Sequence, residues 1–526
     1  MLDFKKLNNM KNTNKYLVAL AVFSGLFLNS CSEEIVDLEP FGTVKSETAF
    51  SSPTLVLAAV NGVYNAAQMG VFNGSEASPV PRGYVFGAAY FQQNDCRGED
   101  VVNTQAFYQL TYESNYDPTT ANNVFYWSDG YQLINKANVV LKGLDEAITK
   151  GTVTAAVGNN YKAEVRYLRA LAHLELLKHF AMPYTHTPNA SHLGIPYRTV
   201  PTITPVDVEV NLAKGRNTVA ECYALALEDL NFAETNAPTK AQRAGIDKIV
   251  KVTKGAAIAT KIIMYQNMKN WSAVLTEYAK LTSQYTLEAN PMGVFTNNYG
   301  NNESIFSMYN TANTNPGVNG ALASQYNRRN LIAISPIIWR DAEWLVDDKR
   351  RAETEVIDNA VFTRKYKDVT NYSDGSPLFR FAEMVLAAAE ANARLGNDAA
   401  ALTLLNSVRN RALASPSTQA YTSSSFASSA DLVRAILKER RIEFICEGKR
   451  WGDIHRLLND DIAPTTGIPR KVANGFPPAG SYTLGTPFSG TLSAAIPATD
   501  RRFLWPIPLT ETNNNPVLKA QQNPGW

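Results

Sequence analysis

The feature that most limits the fold of this 526-residue chain is a series of long amphipathic segments that recur in pairs. In residues 129–148, Leu133, Ala137, Val140 and Leu144 follow the three- to four-residue spacing of one helix face. The sequence therefore predicts a mostly α-helical chain. The other predicted helical segments are residues 159–180, 218–238, 253–284 with a break near Asn270, 379–397, 398–413 and 429–458.

Residues 379–413 contain a helix pair that looks like a tetratricopeptide unit. Gly396 is expected to end the first helix and Asp398 to cap the second, because glycine and aspartate favour those positions. Similar pairs recur with irregular spacing. The second helix of each pair is rich in alanine, which allows close helix packing.

Long irregular stretches rich in Asn, Thr, Pro, Gly, Tyr and Trp separate the helical blocks. Loops of this length in a compact protein usually carry function. Because they interrupt the helices instead of following them, we expect one intertwined domain. The stretches are roughly residues 70–128, 183–216, 285–378 and 459–526.

The N-terminus has the layout of a secretory signal, with lysines before an uncharged apolar run, residues 16–28. This run is too short to span a membrane, which requires about 20 residues. It leads into LNSC, which resembles the lipobox of bacterial lipoproteins and implies that residues 1–30 are removed and Cys31 is acylated, for example with palmitate. The following Ser-Glu-Glu resembles the export tag of lipoproteins that face outwards. The alternative is an ordinary secreted protein with an incidental Cys31.

Charge and motifs exclude several classes of function. The chain carries 50 Lys and Arg against 48 Asp and Glu without basic blocks, which argues against nucleic-acid binding. No phosphate-binding loop, dinucleotide fingerprint or G-x-S-x-G motif occurs, so no cofactor is expected. The histidines form no metal-binding cluster and residues 347–350 lack the acidic ladder of a calcium loop, so no metal is expected. Cys96, Cys222 and Cys446 are an odd number, so at least one is expected to be unpaired.

Five segments in order resemble the SusD/RagB family. The signature-like segment is ERRIEFICEGKRWGDIHRL, residues 439–457, in which Cys446 and Ile454 depart from the usual pattern. An insertion, Ala520-Gln521, is a further small departure. The other segments are AEVRYLRALAHLELLKHFAMPY, RFAEMVLAAAEANARLG, LLNSVRNRA and the C-terminal FLWPIPLTETNNNPVLKAQQNPGW.

This resemblance implies a mostly α SusD-like fold, in which tetratricopeptide-type helix pairs pack against a loop-rich ligand-binding half. Residues 31–526 would form one domain, with an N-terminal region at about 40–240 and a C-terminal region at about 285–526. The family's members are lipid-anchored in the outer membrane and face the cell exterior. They bind oligosaccharides, or in some members peptides, and pass them to a SusC-type TonB-dependent transporter. They are not enzymes.

Glu443 and Glu447 lie four residues apart and invite a catalytic interpretation. Arg440, Arg441, Lys449 and Arg450 surround them in sequence and would lower their pKa values, which makes them poor general acids. Glycosidase carboxylates also face each other across a cleft. We therefore predict a structural ion-pair network, no catalytic residue, and a core position for Trp451.

The loops supply the candidate ligand contacts, because flat rings stack on sugar C–H faces while charged groups hold the hydroxyl rim. Many loop aromatics, about half, are instead expected to be core residues; at least one of Trp339 and Trp344 is expected to be buried. The predicted ligand-binding residues are Tyr84, Tyr90, Asp95, Arg97, Asp100, Tyr309, Tyr326 and Trp339.

Two other functions remain open at the level of sequence. A peptide ligand replaces the glycan in a RagB-like uptake protein. A tetratricopeptide-type scaffold binds a protein partner and no small ligand, but it does not need aromatic loops. A secreted glycosidase is a weaker interpretation, since no pair of carboxylates is nominated for it.

Overall fold

Helices form the frame of the computed structural model, which describes residues 46–71 and 80–526. The predicted signal peptide and Cys31 lie outside these residues. The longer helices are α1 (Pro53–Met69), α2 (Ala88–Cys96), α3 (Ala121–Thr149), α4 (Ala155–Phe180), α5 (Pro205–Leu212), α6 (Val219–Asn236), α7 (Lys254–Asn267), α8 (Trp271–Ala279), α9 (Phe381–Arg394), α10 (Asp398–Arg409), α11 (Ser429–Glu443) and α12 (Arg450–Arg456). Shorter helices are Ser46–Ala49, Gln109–Tyr112, Asp247–Val250, Gly293–Thr296, Gly317–Gly320, Pro336–Trp339, Pro416–Gln419, Leu509–Asn514 and Pro516–Ala520.

The long helices pack against one another largely in chain order. Helix α3 packs on α4, α4 on α6, α6 on α7 and α7 on α8. The series continues from α8 to α9 although about a hundred residues separate them, and then to α10 and α11. This arrangement confirms the prediction of a mostly helical protein built from tetratricopeptide-like pairs.

Local sequence signals set most helix ends. The Asn270 side chain accepts a hydrogen bond from Ala273 N, so the predicted break lies between α7 and α8. Gly396 adopts φ 80° after α9, as a helix-ending glycine does. Asp398, however, is the first residue of α10 and not its cap, and its carboxylate accepts a bond from Ser429.

The single helix predicted for residues 429–458 is wrong, because the chain turns between α11 and α12. Cys446 and Gly448 adopt φ values of 61° and 69° in this turn. A side chain at Gly448 would place its Cβ 3.0 Å from Phe91 Cα. The turn therefore depends on glycine where the backbone approaches α2 closely.

The stretches expected to be irregular contain short strands, which the sequence pattern did not indicate. They are β1 (Val101–Asn103), β2 (Ser304–Met308), β3 (Ile332–Ile334), β4 (Thr354–Ile357), β5 (Ala360–Thr363), β6 (Ser376–Arg380), β7 (Gly467–Ile468) and β8 (Ile496–Pro497). One sheet has the order β1-β3-β5-β4, and β2 pairs with β6 and β7 with β8, all antiparallel.

Residues 50–526 form one compact unit, and residues 46–49 form a short helix. Trp451 is fully buried with Ile454 and Phe503 in a hydrophobic cluster, which confirms its predicted core position. A second cluster joins Val102 and Phe362 of the four-stranded sheet. The proposed regions at 40–240 and 285–526 stay predictions. In the part of the chain that the structure describes, no helix is long and apolar enough to cross a membrane.

Candidate ligand-binding surface

The eight side chains predicted to bind ligand do not form one exposed patch. Tyr309 is 43% exposed, whereas the expectation of exposure is wrong for the remaining residues. They are buried because they connect the loops to the helical core. The buried ones are Tyr84, Tyr90, Asp95, Arg97, Asp100, Tyr326 and Trp339. Whether any of the eight contacts a ligand stays a prediction.

Asp95 and Tyr326 bond to each other in the interior. Tyr326 donates its hydroxyl to Asp95 Oδ2 at 2.6 Å, and Gly448 N donates to Asp95 Oδ1 at 3.0 Å. Burial raises the pKa of Asp95 to about 7, although these two hydrogen bonds oppose the shift. The pair therefore fixes α2 to the turn before α12 and leaves no carboxylate oxygen at the surface.

Arg97 and Asp100 are also structural. The Arg97 guanidinium carbon lies 3.5 Å from the ring centroid of Trp451, and the side chain donates to the carbonyl of Phe503. Burial lowers the pKa of Arg97 to about 10. Asp100 accepts hydrogen bonds from Arg441.

The remaining aromatic residues of the prediction have internal partners. Tyr84 donates to Asn122 Oδ1 at 3.0 Å, and Tyr90 contacts Glu175 Oε1 at 3.4 Å. Trp339 packs edge-on against Trp344 with centroids 5.3 Å apart. Trp344 is 2% exposed, so the expectation that at least one of the two tryptophans is buried is confirmed.

Glu443 and Glu447 lie inside an ion-pair network, as predicted. Arg380 reaches Glu303, Glu443 and Glu447 at 2.6–2.9 Å, and Arg350 reaches Glu443 at 2.8 Å. We call this network the ion-pair core; its residues are Glu303, Asp348, Arg350, Lys365, Arg380, Arg409, Arg411, Glu439, Glu443 and Glu447.

Electrostatics in the ion-pair core explain why Glu443 is a poor proton donor. Burial by itself would raise the pKa of Glu443, but Arg411, Arg380 and Arg350 outweigh it and hold the pKa well below its usual range. The carboxylate is thus ionised throughout the physiological range.

The prediction that Arg440, Arg441, Lys449 and Arg450 surround Glu443 and Glu447 is wrong, because these four residues pair with other carboxylates. Arg440 pairs with Glu383 and Asp453, and Lys449 also pairs with Glu383. Arg441 and Arg450 turn towards residues 99–100. Helix geometry sends consecutive side chains to different faces, so neighbours in sequence serve different contacts.

The cysteines of the described segments and three of their histidines, 173, 179 and 455, are packed in the interior. Cys96, Cys222 and Cys446 are buried and free. His173 stacks on Tyr197 with centroids 3.7 Å apart, and burial lowers its pKa to about 3. In the residues that the structure describes, no group of three or more His, Cys, Asp or Glu side chains is placed to hold a metal ion.

A first group of half-exposed side chains surrounds Phe107, in the turn Ala106–Tyr108. The guanidinium carbons of Arg82 and Arg329 each lie 5.1 Å from its ring centroid. Arg329 also donates to Asn319 Oδ1 at 2.9 Å. Phe107 therefore holds two cationic groups from distant parts of the chain at one place.

A second group surrounds Tyr309. Its ring meets Tyr299 edge-on with centroids 5.2 Å apart, and Tyr299 donates its hydroxyl to Ser373 O at 3.2 Å. Arg328 is exposed and donates to the hydroxyl of Tyr372. Tyr372 directly precedes Ser373, to which Tyr299 bonds, and Arg328 directly precedes the arginine on Phe107, so consecutive residues connect the two groups.

We call these two groups the loop face. It contains an exposed tyrosine ring and partly exposed guanidinium groups, and these are the kinds of side chain that hold a sugar face and its hydroxyl rim. Sequence reasoning selected Tyr309 but missed Phe107 and Tyr372, whose neighbours come from segments far along the chain. The residues of the loop face are Arg82, Phe107, Tyr299, Tyr309, Asn319, Arg328, Arg329 and Tyr372.

The structure is that of a helical-repeat protein whose loops carry an aromatic surface. Two family models match the chain. A model described as "SusD family" matches residues 349–526, and one described as "Starch-binding associating with outer membrane" matches residues 43–265. The chain belongs to the SusD/RagB family.

Individual relatives agree with this assignment. A SusD-like protein from Formosa agariphila is 23% identical over 514 residues, which cover 86% of this chain and 92% of the relative. A SusD superfamily crystal structure from Bacteroides fragilis has a TM-score of 0.75 at 26% identity and covers 89% of this chain and 99% of that one. A SusD-like carbohydrate binding protein from Bacteroides vulgatus has a TM-score of 0.68 at 22% identity, with 89% and 98% covered. The last of these supports the fold alone.

Proposed function

We propose that this protein is a lipid-anchored, outward-facing protein of the outer membrane that captures oligosaccharides. It passes them to a SusC-type TonB-dependent transporter. The observation that carries the proposal is the loop face, which combines the exposed Tyr309 ring with the partly exposed arginines 328 and 329. The family description "Starch-binding associating with outer membrane" supports the ligand class and the location.

The loop face supplies two kinds of contact. The ring of Tyr309, 43% exposed and braced by Tyr299, stacks on the C–H face of a pyranose. Arg328 donates to the Tyr372 hydroxyl and Arg329 to the Asn319 amide. Because a guanidinium has five N–H donors, each arginine has further donors for sugar hydroxyls. Phe107 positions Arg329 for this role.

The proposed function requires ligand binding but no catalytic reaction at the loop face. The carboxylates of the ion-pair core are buried and paired with cations, so they serve the fold. We therefore propose a binding protein without catalytic activity, and energy for uptake comes from the transporter.

A binding screen tests the ligand class. The full chain, purified in detergent, is applied to an array of oligosaccharides and peptides, together with Tyr309→Ala and Phe107→Ala. We expect saturable binding to an oligosaccharide that weakens at least about tenfold in both variants. The matched control is Phe476→Ala, which removes an aromatic ring of similar exposure, 40%, outside the loop face.

The outcomes separate the competing functions. Binding to peptides alone would replace the glycan with a peptide ligand, as in the RagB-like alternative. Equal losses in Phe476→Ala and Tyr309→Ala would remove the loop face as the site. Absence of any binding would favour a scaffold with a protein partner.

The membrane attachment is tested separately at Cys31, which lies outside the described residues. We expect Cys31→Ala to abolish lipidation and release the protein from outer-membrane fractions while the melting temperature is unchanged. Several acyl chains on one residue hold a protein far more firmly than one chain. Full retention of the variant in outer membranes would contradict the anchor.

A further inference from the structure

The loop face has an excess of positive charge. Six of its eight residues come from residues 80–94, 101–112 and 304–340, and these three segments contain no aspartate or glutamate. The whole chain, by contrast, carries 48 acidic residues that nearly balance its 50 basic ones. The loop face therefore contains three arginines and no acidic residue.

Two of these arginines have no counter-charge among the residues that the structure describes. Arg328 donates to the Tyr372 hydroxyl and Arg329 to Asn319 Oδ1, and neither forms a salt bridge. Arginines elsewhere that lack a carboxylate donate instead to backbone carbonyls, as Arg340 does to Thr486 O and Arg351 to Trp344 O. Arg328 and Arg329 have neither kind of acceptor, so most of their N–H groups are left for a ligand.

The neighbours of these arginines also offer donors. Asn319 turns its Oδ1 to Arg329, which can only donate, so its Nδ2 hydrogens are left for another acceptor. Tyr372 accepts from Arg328, so its own hydroxyl proton is available. A ligand group that only accepts hydrogen bonds, such as a carboxylate or a sulfate, matches this set of donors.

The acids of the loop that carries Tyr372 are engaged within that loop. Asp368 accepts hydrogen bonds from the backbone and hydroxyl of Ser373. Asp374 is 6% exposed and accepts from Asp368 N at 2.7 Å and from Asn298 Nδ2 at 3.1 Å. These bonds hold Tyr372 at φ 56°, which is uncommon for a bulky residue, and thus fix its hydroxyl beside Arg328.

Phe107 adds a further reason for an anion. The guanidinium carbons of Arg82 and Arg329 each lie 5.1 Å from its ring centroid, so two like charges share one ring. Like charges at short range repel each other, and a bound anion would relieve this repulsion.

We propose that the ligand of the loop face is an anionic oligosaccharide, which carries carboxylate or sulfate groups. This inference rests on the proposed function, because it specifies the ligand class of the same surface. Arg328, Arg329 and Asn319 bind the anionic group while the exposed Tyr309 ring stacks on a sugar ring. A guanidinium can hold such a group through two parallel N–H···O bonds, which a neutral hydroxyl cannot match.

Two matched pairs of ligands separate the charge from the sugar. Trigalacturonate is compared with its methyl ester, and a sulfated galactose oligosaccharide with its desulfated counterpart, by calorimetric titration of the full chain. In at least one pair we expect the charged member to bind at least about tenfold more tightly than the neutral one. The pair that shows this preference distinguishes a carboxylate from a sulfate ligand. Sodium chloride at about 300 mM should reduce the preference, because salt screens exposed charges.

A double variant tests the residues. We expect Arg328→Gln/Arg329→Gln to bind both members of the pair with similar affinity. The matched control is Arg434→Gln/Arg470→Gln, which removes two exposed arginines outside the loop face and should keep the preference. A structural role of the loop-face arginines would lower both affinities together, so the ratio of the two is the informative quantity. Melting curves verify that each variant folds.

Three results would overturn the inference: equal binding of charged and neutral members in both pairs, a preference that survives Arg328→Gln/Arg329→Gln, or an equal loss of preference in the control. Neutral oligosaccharides that bind as tightly as charged ones, and less tightly to Tyr309→Ala, would refute the anionic ligand and leave the proposed function intact. Absence of binding to any saccharide would refute both.

Discussion

The ion-pair core and the loop face contain the same types of side chain, but these serve different purposes. In both, an arginine lies over a ring: Arg380 stands 4.1 Å from the Phe444 centroid, and Arg329 stands 5.1 Å from Phe107. Arg380 is also bonded to carboxylates on several sides, whereas Arg329 bonds to an amide. Residue type alone therefore does not distinguish an arginine that serves the fold from one that we propose for ligand binding; the partners of each arginine do.

Burial explains the difference in partners. A guanidinium removed from water loses its hydration, and paired carboxylates are one way to offset that cost. Arg380 is 2% exposed and has its carboxylates, while Arg328 is exposed and needs none. In the ion-pair core the charged groups are paired with one another and stabilise the fold. In the loop face, Arg328 and Arg329 form no salt bridge with any carboxylate that the structure describes and are available to a ligand.

The largest expected effect comes from breaking the ion-pair core. Arg380→Met leaves Glu303, Glu443 and Glu447 buried with fewer cations, so we expect the free energy of unfolding to fall by about 3–5 kcal/mol. Denaturant unfolding followed by near-UV circular dichroism measures it. The control is Arg364→Met, whose partner Glu355 is 59% exposed, and it should cost less than about 1 kcal/mol. An equal loss in the free energy of unfolding in the two variants would contradict the claim that the buried pairs stabilise the fold more than the exposed pair.

The next effect concerns Asp95, a predicted ligand contact that the structure buries. Its pKa in the fold, about 7, exceeds that of an unfolded aspartate, so its ionisation opposes folding as pH rises from 4 to above 7. Asp95→Asn removes the charge; its Oδ1 accepts from Gly448 N, and its NH₂ group donates to the Tyr326 hydroxyl, which turns from donor to acceptor. We expect it to stabilise the protein by about 1–2 kcal/mol at pH 8 and to have little effect near pH 4. Melting curves across this range provide the measurement, and a stabilisation independent of pH would refute the cause.

A smaller effect on stability accompanies a clear effect on binding at the loop face. Arg329→Met should weaken oligosaccharide binding by about 1 kcal/mol, or roughly fivefold, because the ligand loses donors at the rim. The melting temperature should hardly move, since Arg329 is half-exposed. Calorimetric titration of both proteins measures this. A large loss of stability with unchanged affinity would place Arg329 with the structural arginines.

The helices were well predicted from the sequence, because a helix with one buried face shows a regular spacing of apolar residues within its own segment. Residues 133–144 of α3 and the break at Asn270 are examples. The strands were missed because β1 and β3 contain three residues each and pair across more than two hundred positions, as Val101 does with Ile334. Such pairing leaves no local period.

The candidate site was only partly accessible from sequence for the same reason. The structural role of Glu443 followed from nearby basic residues, but its actual partners, Arg350, Arg380 and Arg411, come from other segments. Tyr326 and Tyr309 have similar loop contexts, yet one is fully buried and the other exposed. Only tertiary packing separates them.

Hydrogen exchange tests the central claim most directly, because it compares the two regions in one experiment. The full chain is labelled with and without a saturating concentration of the oligosaccharide found by the array. We expect ligand to slow exchange in residues 105–110, 299–310 and 319–330 and to leave residues 439–457 unchanged. Protection confined to residues 439–457, with the loop face unaffected, would contradict the division of this protein into a structural ion-pair core and a ligand-binding loop face.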